Sequence, residues 1–74
     1  MNIDQLVEVD PEKMSGTPVF TGTRVPIRNL FDYLEGGDSL EVFLDDFPTV
    51  SREQALGVIE ASRHLLLDKY EIAA

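Results

Sequence analysis

The chain contains no cysteine and a single histidine, His64, in 74 residues. Disulfides, thiol chemistry and a zinc site built from cysteine and histidine are therefore excluded. A folded chain of this length buries only about 60% of the surface that its unfolded form exposes, so its core is small. Because covalent and metal supports are missing, we expect oligomerisation to stabilise the fold.

Basic residues and long apolar runs are also scarce. The sequence has 6 Lys and Arg against 14 Asp and Glu, which gives a formal net charge of −8. A chain of this charge repels nucleic acid and anionic membranes at long range and attracts a basic partner. No apolar run approaches the ~20 residues of a membrane-spanning helix. The N-terminal MNIDQLVEVD is acidic, unlike a secretory signal, so we expect a cytoplasmic protein with no membrane partner.

The first third of the sequence combines short β-like segments with turn residues. LVEV at 6–9 alternates apolar and acidic residues, as a short exposed strand does, and the Asp10-Pro11 turn ends it. In TPVFTGTRVPIR at 17–28, the β-like pairs VF and RV flank Gly22, which we expect to adopt a positive φ. Two strands alone are marginally stable in water. Either they pack on the helices of the same chain, or a second chain completes the sheet.

Two amphipathic helices are predicted next. Pro26 suits the first position of the first helix, and the Gly-Gly pair at 36–37 suits its end in the left-handed conformation. Asp38 or Ser39 caps the second helix, and Pro48 ends it. Apolar residues at helical spacing give each helix one buried stripe: Ile27, Leu30, Phe31 and Leu34 in the first, and Leu40, Phe43, Leu44 and Phe47 in the second.

A third, longer helix is predicted from Ser51 onward. Ser51 and Gln54 have the spacing of a capping box, and Val50 and Ala55 that of a hydrophobic staple. The predicted core stripe is Ala55, Val58, Ile59, Ser62, Leu65 and Leu66, and the predicted acidic face is Glu53, Glu60, His64, Asp68 and Glu71. The leucines at 65–67 make the helix end apolar almost all round, which suggests contact with another chain.

The order of helix, short turn, short helix, PTV turn and long capped helix is typical of a helix-turn-helix unit. Because the first turns of the last helix contact bases in such units, Arg52 and Gln54 are candidate DNA contacts. Arg24 and Arg28 could bind phosphate or the carboxylate of a partner. The structural alternative for Arg52 and Gln54 is a charge pair and the capping box. For Arg24 and Arg28 the alternative is ion pairs with acids such as Asp32.

The sequence shows no pattern typical of an active site. It has no nucleophile with its base, no phosphate-binding loop and no metal-ligand cluster. The adjacent carboxylates Asp45 and Asp46 point to different sides of a helix, so they do not form an acid–base pair. We therefore expect no enzymatic activity and no cofactor. His64 is interpreted as a solvated histidine, with pH sensing as the alternative.

Taken in order, these segments resemble the domain-of-unknown-function 433 family, a group of small prokaryotic antitoxin-like proteins. The resemblance spans roughly residues 6–66. Its most specific part is the P-V-x-x-G-T-R-x-P-[IV] pattern at 18–27, supported by the F-P-x-[LV]-[ST] turn at 47–51. One departure is the usual Gly-Lys-Pro before the strand, which here is Gly-Thr-Pro at 16–18. The missing lysine weakens the DNA-binding interpretation.

The resemblance implies a single domain of the mostly α class. It consists of a three-helix, homeodomain-like helix-turn-helix bundle at 26–74 with a short N-terminal β extension at 1–25. A homodimer is also implied, and we expect its subunits to pair through the strand residues Val19, Phe20, Thr23 and Val25. The implied partner is a cognate toxin, typically a PIN-like ribonuclease.

We therefore hypothesise an antitoxin that binds and neutralises a ribonuclease toxin. The acidic face of the third helix and the apolar residues Leu65, Leu67 and Tyr70 would cover a basic active-site cleft. Dimers could also bind operator DNA through the four candidate contacts, which are Arg24, Arg28, Arg52 and Gln54. The alternatives are a helix-turn-helix transcriptional regulator without a toxin partner and a dimeric protein-interaction module.

Overall fold

The computed structural model describes residues 2–70, and in this part the chain is mostly helical with one small antiparallel sheet. The elements are α1 (Ile3–Leu6), β1 (Val7–Glu8), a 3-10 turn (Met14–Gly16), β2 (Val19–Phe20), α2 (Ile27–Glu35), α3 (Leu40–Asp46) and α4 (Arg52–Lys69). The three predicted helices correspond to α2, α3 and α4, which confirms a mostly α fold with a short N-terminal β segment. Within residues 2–70, no helix is long and apolar enough to cross a membrane.

The short helix α1 is an element that the sequence pattern did not lead us to predict. Asn2 is its N-cap: Asn2 Oδ1 accepts a hydrogen bond from Gln5 N–H at 3.1 Å, and Gln5 Oε1 accepts one from Asn2 N–H at 3.0 Å. This capping box holds Leu6 in the helix, so the strand predicted at 6–9 is shortened to β1. Leu6 is buried, which brings α1 against α4.

Strand β2 is paired on both sides inside the chain. β1 and β2 are antiparallel, with Val7 opposite Phe20 and Glu8 opposite Val19. On its other side β2 meets the segment before α2, where Phe20 N–H donates to the carbonyl oxygen of Val25 at 3.0 Å. Of the two alternatives that the sequence left open, the structure shows the first for β2, which packs on the helices of the same chain and needs no second subunit to pair its edges.

The predicted helix ends lie close to the observed ones. Pro26 is the N-cap of α2 rather than its first helical residue. Of the two glycines after α2, Gly37 has the left-handed conformation, with φ at 94°, whereas Gly36 is right-handed, with φ at −79°. Ser39 and Ser51 are the N-caps of α3 and α4, as local sequence predicts.

Residues from the N-terminal third and from the helices share one core. Its buried members are Leu6, Phe20, Val25, Leu30, Phe43, Val50, Ala55 and Val58. The ring centroids of Phe20 and Phe43 are 6.0 Å apart, so β2 packs directly on α3. The N-terminal third is therefore an integral part of the hydrophobic core.

The predicted core stripe of α4 is buried only along the first half of the helix. Ala55 and Val58 are buried and Ile59 is half-buried, whereas Leu65 and Leu66 are 74% and 60% exposed. The prediction that these two leucines lie in the core is wrong. Helical periodicity shows which face a residue occupies, but not how far the packing partners extend along that face.

Candidate functional site

The last turns of α4 extend beyond the rest of the fold. Every residue from 63 to 70 is exposed, and the large apolar side chains in this segment are Leu65, Leu66, Leu67 and Tyr70. Consecutive helical residues point about 100° apart, so the three leucines cover more than half of the helix circumference. We call these four residues the apolar end of α4; Leu65, Leu67 and Tyr70 are the predicted partner-binding residues.

An apolar groove runs from the apolar end of α4 between α1, α2 and α4. One hollow has a volume of about 440 Å³ and is lined mainly by Ile3, Ile27, Phe31, Val58, Ala61 and Leu65. A second hollow, of about 350 Å³, shares Ile27 and Phe31 with the first and extends to Arg28. Ile27 and Phe31, predicted as core residues, are half-buried and line both hollows. Because Leu65 lines the groove, the groove and the apolar end of α4 form one continuous surface.

Charged side chains share α4 with this apolar surface. His64 lines the groove, and its Nε2 lies 3.1 Å from Glu60 Oε1; Arg63 Nη1 lies 3.3 Å from the same oxygen. The remaining members of the predicted acidic face are Glu53 and Asp68, which are exposed, and Glu71, which lies outside the described residues. Within residues 2–70, no group of three His, Asp or Glu side chains is placed to hold a metal ion.

Two of the four residues predicted to contact DNA, Arg52 and Gln54, bind other residues of the chain. Arg52 forms an ion pair with Glu41 of α3, and the hydrogen bond and charge of Glu41 raise the pKa of Arg52. Gln54 uses both ends of its amide: Oε1 accepts from Ser51 N–H at 3.0 Å, and Nε2 donates to the carbonyl oxygen of Thr21 at 2.9 Å. The structural alternatives for these residues, a charge pair and a capping box, are both present.

The other two candidate DNA contacts, Arg24 and Arg28, are exposed. Neither forms an ion pair with any residue in the described part of the chain, so the expected pairing with nearby acids is not seen there. They lie on different surfaces. Arg24 is in the turn between β2 and α2, whereas Arg28 borders the apolar groove.

The predicted dimer-strand residues are core residues of a single chain. Val19, Phe20, Thr23 and Val25 are all buried, with at most 9% of their surface exposed. The Thr23 hydroxyl donates to the carbonyl oxygen of Phe20 at 2.8 Å and accepts from Val25 N–H at 3.0 Å. Since these side chains point inward and the hydrogen-bonding edges of β2 are occupied, the structure gives the four residues a structural role within the subunit.

Glu8 on β1 is a further residue with a specific role, one that we did not predict. Its Oε1 accepts a hydrogen bond from Gly22 N–H at 3.0 Å, and its Oε2 lies 3.1 Å from Lys13 Nζ. The hydrogen bond from Gly22 and then that from Lys13 lower the pKa of Glu8. Gly22 has a φ of 80°, the positive value predicted for the turn. No local pattern links residues 8 and 22, because they meet only through the pairing of β1 with β2.

Comparison with known proteins gives two matches. The sequence profile of a family described as "Protein of unknown function (DUF433)" matches residues 7–60. The crystal structure of a DUF433 member protein from Anabaena variabilis ATCC 29413 is similar to this chain, with a TM-score of 0.67 and 20% sequence identity. The similarity covers 95% of this chain and 70% of that chain and shows a shared fold. No curated protein matches the sequence.

Proposed function

The chain belongs to the DUF433 family, and we propose that it is the antitoxin component of a toxin–antitoxin pair. In this proposal it works in the cytoplasm, has no catalytic activity of its own and neutralises a PIN-like ribonuclease by binding it. The observation that carries the proposal is the continuous apolar surface formed by the groove and the apolar end of α4. Contiguous exposed apolar surface on a small protein marks an interaction site.

The charge of the chain favours a basic protein as the partner. A ribonuclease binds a polyanion, so its active-site cleft carries positive potential. The chain has a net charge of −8, and Glu60 and Asp68 lie exposed on the helix that carries the apolar end. An apolar centre surrounded by complementary charge is the usual composition of a protein interface. We therefore place the apolar end of α4 at the toxin and the acidic residues of α4 against its basic cleft.

We also propose that α2, α3 and α4 form a homeodomain-like helix-turn-helix unit. The short turn between α3 and α4 and the capped start of α4 support this arrangement. DNA binding has less support, since Arg52 is paired with Glu41 and Gln54 is engaged in the cap and with Thr21. A transcriptional regulator without a toxin partner is therefore the weaker alternative.

The second candidate function is a dimeric protein-interaction module, and the same apolar surface favours it. In a homodimer, the groove and the apolar end of α4 would be covered by a second copy of the chain, because they are exposed and apolar. Size-exclusion chromatography at micromolar concentration distinguishes the two candidates. A dimer that dissociates on Leu65→Glu substitution supports the module, whereas a wild-type monomer leaves the surface available for a partner.

The test of the antitoxin proposal is affinity capture of the tagged chain from its native cells at moderate salt. We expect one basic protein in stoichiometric amount, released at high salt and active as a ribonuclease. The double variant Leu65→Glu, Leu67→Glu should lose this protein. The matched control is Leu56→Glu, which alters a 46% exposed leucine on the same helix, about 13 Å before Leu65 along the axis. Recovery of the wild-type chain alone would contradict the proposal.

A further inference from the structure

The turn between β2 and α2 and the turn between α3 and α4 meet at one pocket, which we call the GTR pocket. It has a volume of about 530 Å³. Gly22, Thr23 and Arg24 line it from the turn after β2, and Phe47 and Thr49 line it from the turn after α3; Lys13 lines it as well. These two turns belong to the segments 18–27 and 47–51, which are separated along the chain by α2 and α3. The fold therefore brings these two segments to a single concave surface.

The turn that carries Arg24 is held by contacts from three directions. Gly22 N–H donates to Glu8 on β1, and the buried Thr23 hydroxyl closes the turn on its own backbone. From α4, Gln54 Nε2 donates to the carbonyl oxygen of Thr21. The backbone of this exposed turn is therefore fixed, so binding at the turn costs little backbone freedom.

Arg24 is the cation at this pocket that has no partner among residues 2–70. Lys13 is paired with Glu8 at 3.1 Å, whereas Arg24 makes no ion pair or side-chain hydrogen bond within residues 2–70. A guanidinium offers a planar set of donors that matches a carboxylate with two parallel hydrogen bonds. The apolar atoms of Phe47 and Val25 lie beside it in the same pocket.

We propose that the GTR pocket binds the C-terminal carboxylate of a partner protein whose last residue is apolar, with Arg24 as the principal ligand of this carboxylate. A carboxylate fits better than nucleic acid, because a net charge of −8 repels a polyanion much more strongly than a single negative group. Phe47 would contact the apolar part of the ligand. Lys13 and the Gly22 N–H already bind the Glu8 carboxylate, so the positive charge available to a ligand comes from Arg24. This site is separate from the apolar groove and does not depend on the proposed toxin partner.

The test is a titration of the ¹⁵N-labelled chain followed by NMR at constant ionic strength and neutral pH. The probe is N-acetyl-phenylalaninate, which combines a carboxylate with an apolar ring. We expect saturable shifts in the millimolar range at the amides of Gly22, Thr23 and Thr49. Arg24→Gln should weaken binding about tenfold or more, the loss expected for a charge-assisted hydrogen bond.

The matched control for the titration is Arg28→Gln, which removes the other arginine without an ion pair in the described part of the chain but leaves the pocket unchanged. It should bind the probe as the wild type does. Arg24→Lys keeps the charge without the planar fork of donors and should give an intermediate affinity. Shifts that do not saturate, or that give Arg24→Gln the same affinity as the wild type, would overturn the proposal. Tighter binding of inorganic phosphate or of a short DNA duplex at the same amides would overturn it in favour of a phosphate ligand.

Discussion

Gln54 Nε2 donates a hydrogen bond to the carbonyl oxygen of Thr21 at 2.9 Å, which joins the first turn of α4 to the turn after β2. The same side chain accepts from Ser51 N–H and so completes the capping box of α4. One residue therefore fixes both the start of the last helix and the turn that presents Arg24. The N-terminal third and the helical unit are connected through it as well as through the core.

The double role of Gln54 can be separated with two substitutions. Gln54→Ala removes both hydrogen bonds, and we expect it to lower the free energy of unfolding by about 1–2 kcal/mol. Gln54→Glu keeps an acceptor for Ser51 N–H but loses the donor to Thr21, so it should cost about half as much. Urea unfolding measures both values. No loss for Gln54→Glu would show that the contact with Thr21 contributes nothing, and equal losses for the two variants would show the same for the hydrogen bond from Ser51 N–H.

Gly57 on α4 allows the close approach of α1. A Cβ atom at this position would lie 2.8 Å from Leu6 Cδ2. Ala favours a helix over Gly by about 1 kcal/mol, but an overpacked contact costs about 1–3 kcal/mol. We therefore expect Gly57→Ala to lower the free energy of unfolding in the wild-type chain by up to about 2 kcal/mol.

In a Leu6→Val background, which lacks both Cδ atoms, Gly57→Ala should instead stabilise the fold by about 1 kcal/mol. The double-mutant cycle from urea unfolding isolates this coupling between the two residues. The same effect of Gly57→Ala in both backgrounds would contradict the close packing of α1 on α4.

The Glu8 carboxylate should make stability depend on pH. Its pKa is lowered from the ordinary value of 4.5, first by the hydrogen bond from Gly22 N–H and then by Lys13. A carboxyl group with a depressed folded pKa stabilises the fold above its unfolded pKa, and this contribution is lost as the pH falls through the folded pKa. The difference in stability between wild type and Glu8→Gln should thus be largest at neutral pH and disappear in acid. Unfolding in urea at several pH values measures it.

The control for Glu8→Gln is Glu12→Gln, which makes the same change of charge at an exposed residue of the neighbouring turn. It should show a smaller difference from the wild type at neutral pH. If the stabilities of the two variants depend on pH in the same way, the contacts of Glu8 with Gly22 and Lys13 are not the cause of the pH-dependent stability.

The apolar end of α4 should contribute little to the stability of the isolated chain. Leu65 is 74% exposed, so Leu65→Glu should change the free energy of unfolding by no more than about 0.5 kcal/mol. Leu30 is fully buried, and Leu30→Ala should cost about 2–5 kcal/mol. Thermal or urea unfolding of both variants checks this. A large loss for Leu65→Glu would mean that this leucine packs within the fold.

Local sequence signals predicted the helices well, because caps and apolar spacing act over a few residues. The Ser51 and Gln54 capping box and the positive φ of Gly22 are examples. Apart from α1, whose capping box is local, the features that we did not predict depend on contacts distant in sequence. The turn of Gly22 is held by Glu8 through strand pairing, and β2 is closed by the segment that precedes α2.

The candidate site could be predicted only in part. The leucines at 65–67 indicate a contact with another chain from their sequence alone, but periodicity also placed Leu65 and Leu66 in the core. Their exposure follows from where the packing partners of α4 end, which no local pattern reports. The groove likewise arises because α1, α2 and α4 meet at Ile27 and Phe31 without covering them completely.

The measurement that tests the proposed function most directly is the ribonuclease activity of the captured partner as the purified chain is added back. We expect wild-type chain to inhibit the activity at an equimolar ratio. The folded double variant Leu65→Glu, Leu67→Glu should leave the activity unchanged, while Leu56→Glu should inhibit as the wild type does. A captured partner without ribonuclease activity, or equal inhibition by the wild type and the double variant, would contradict an antitoxin that acts through the apolar end of α4.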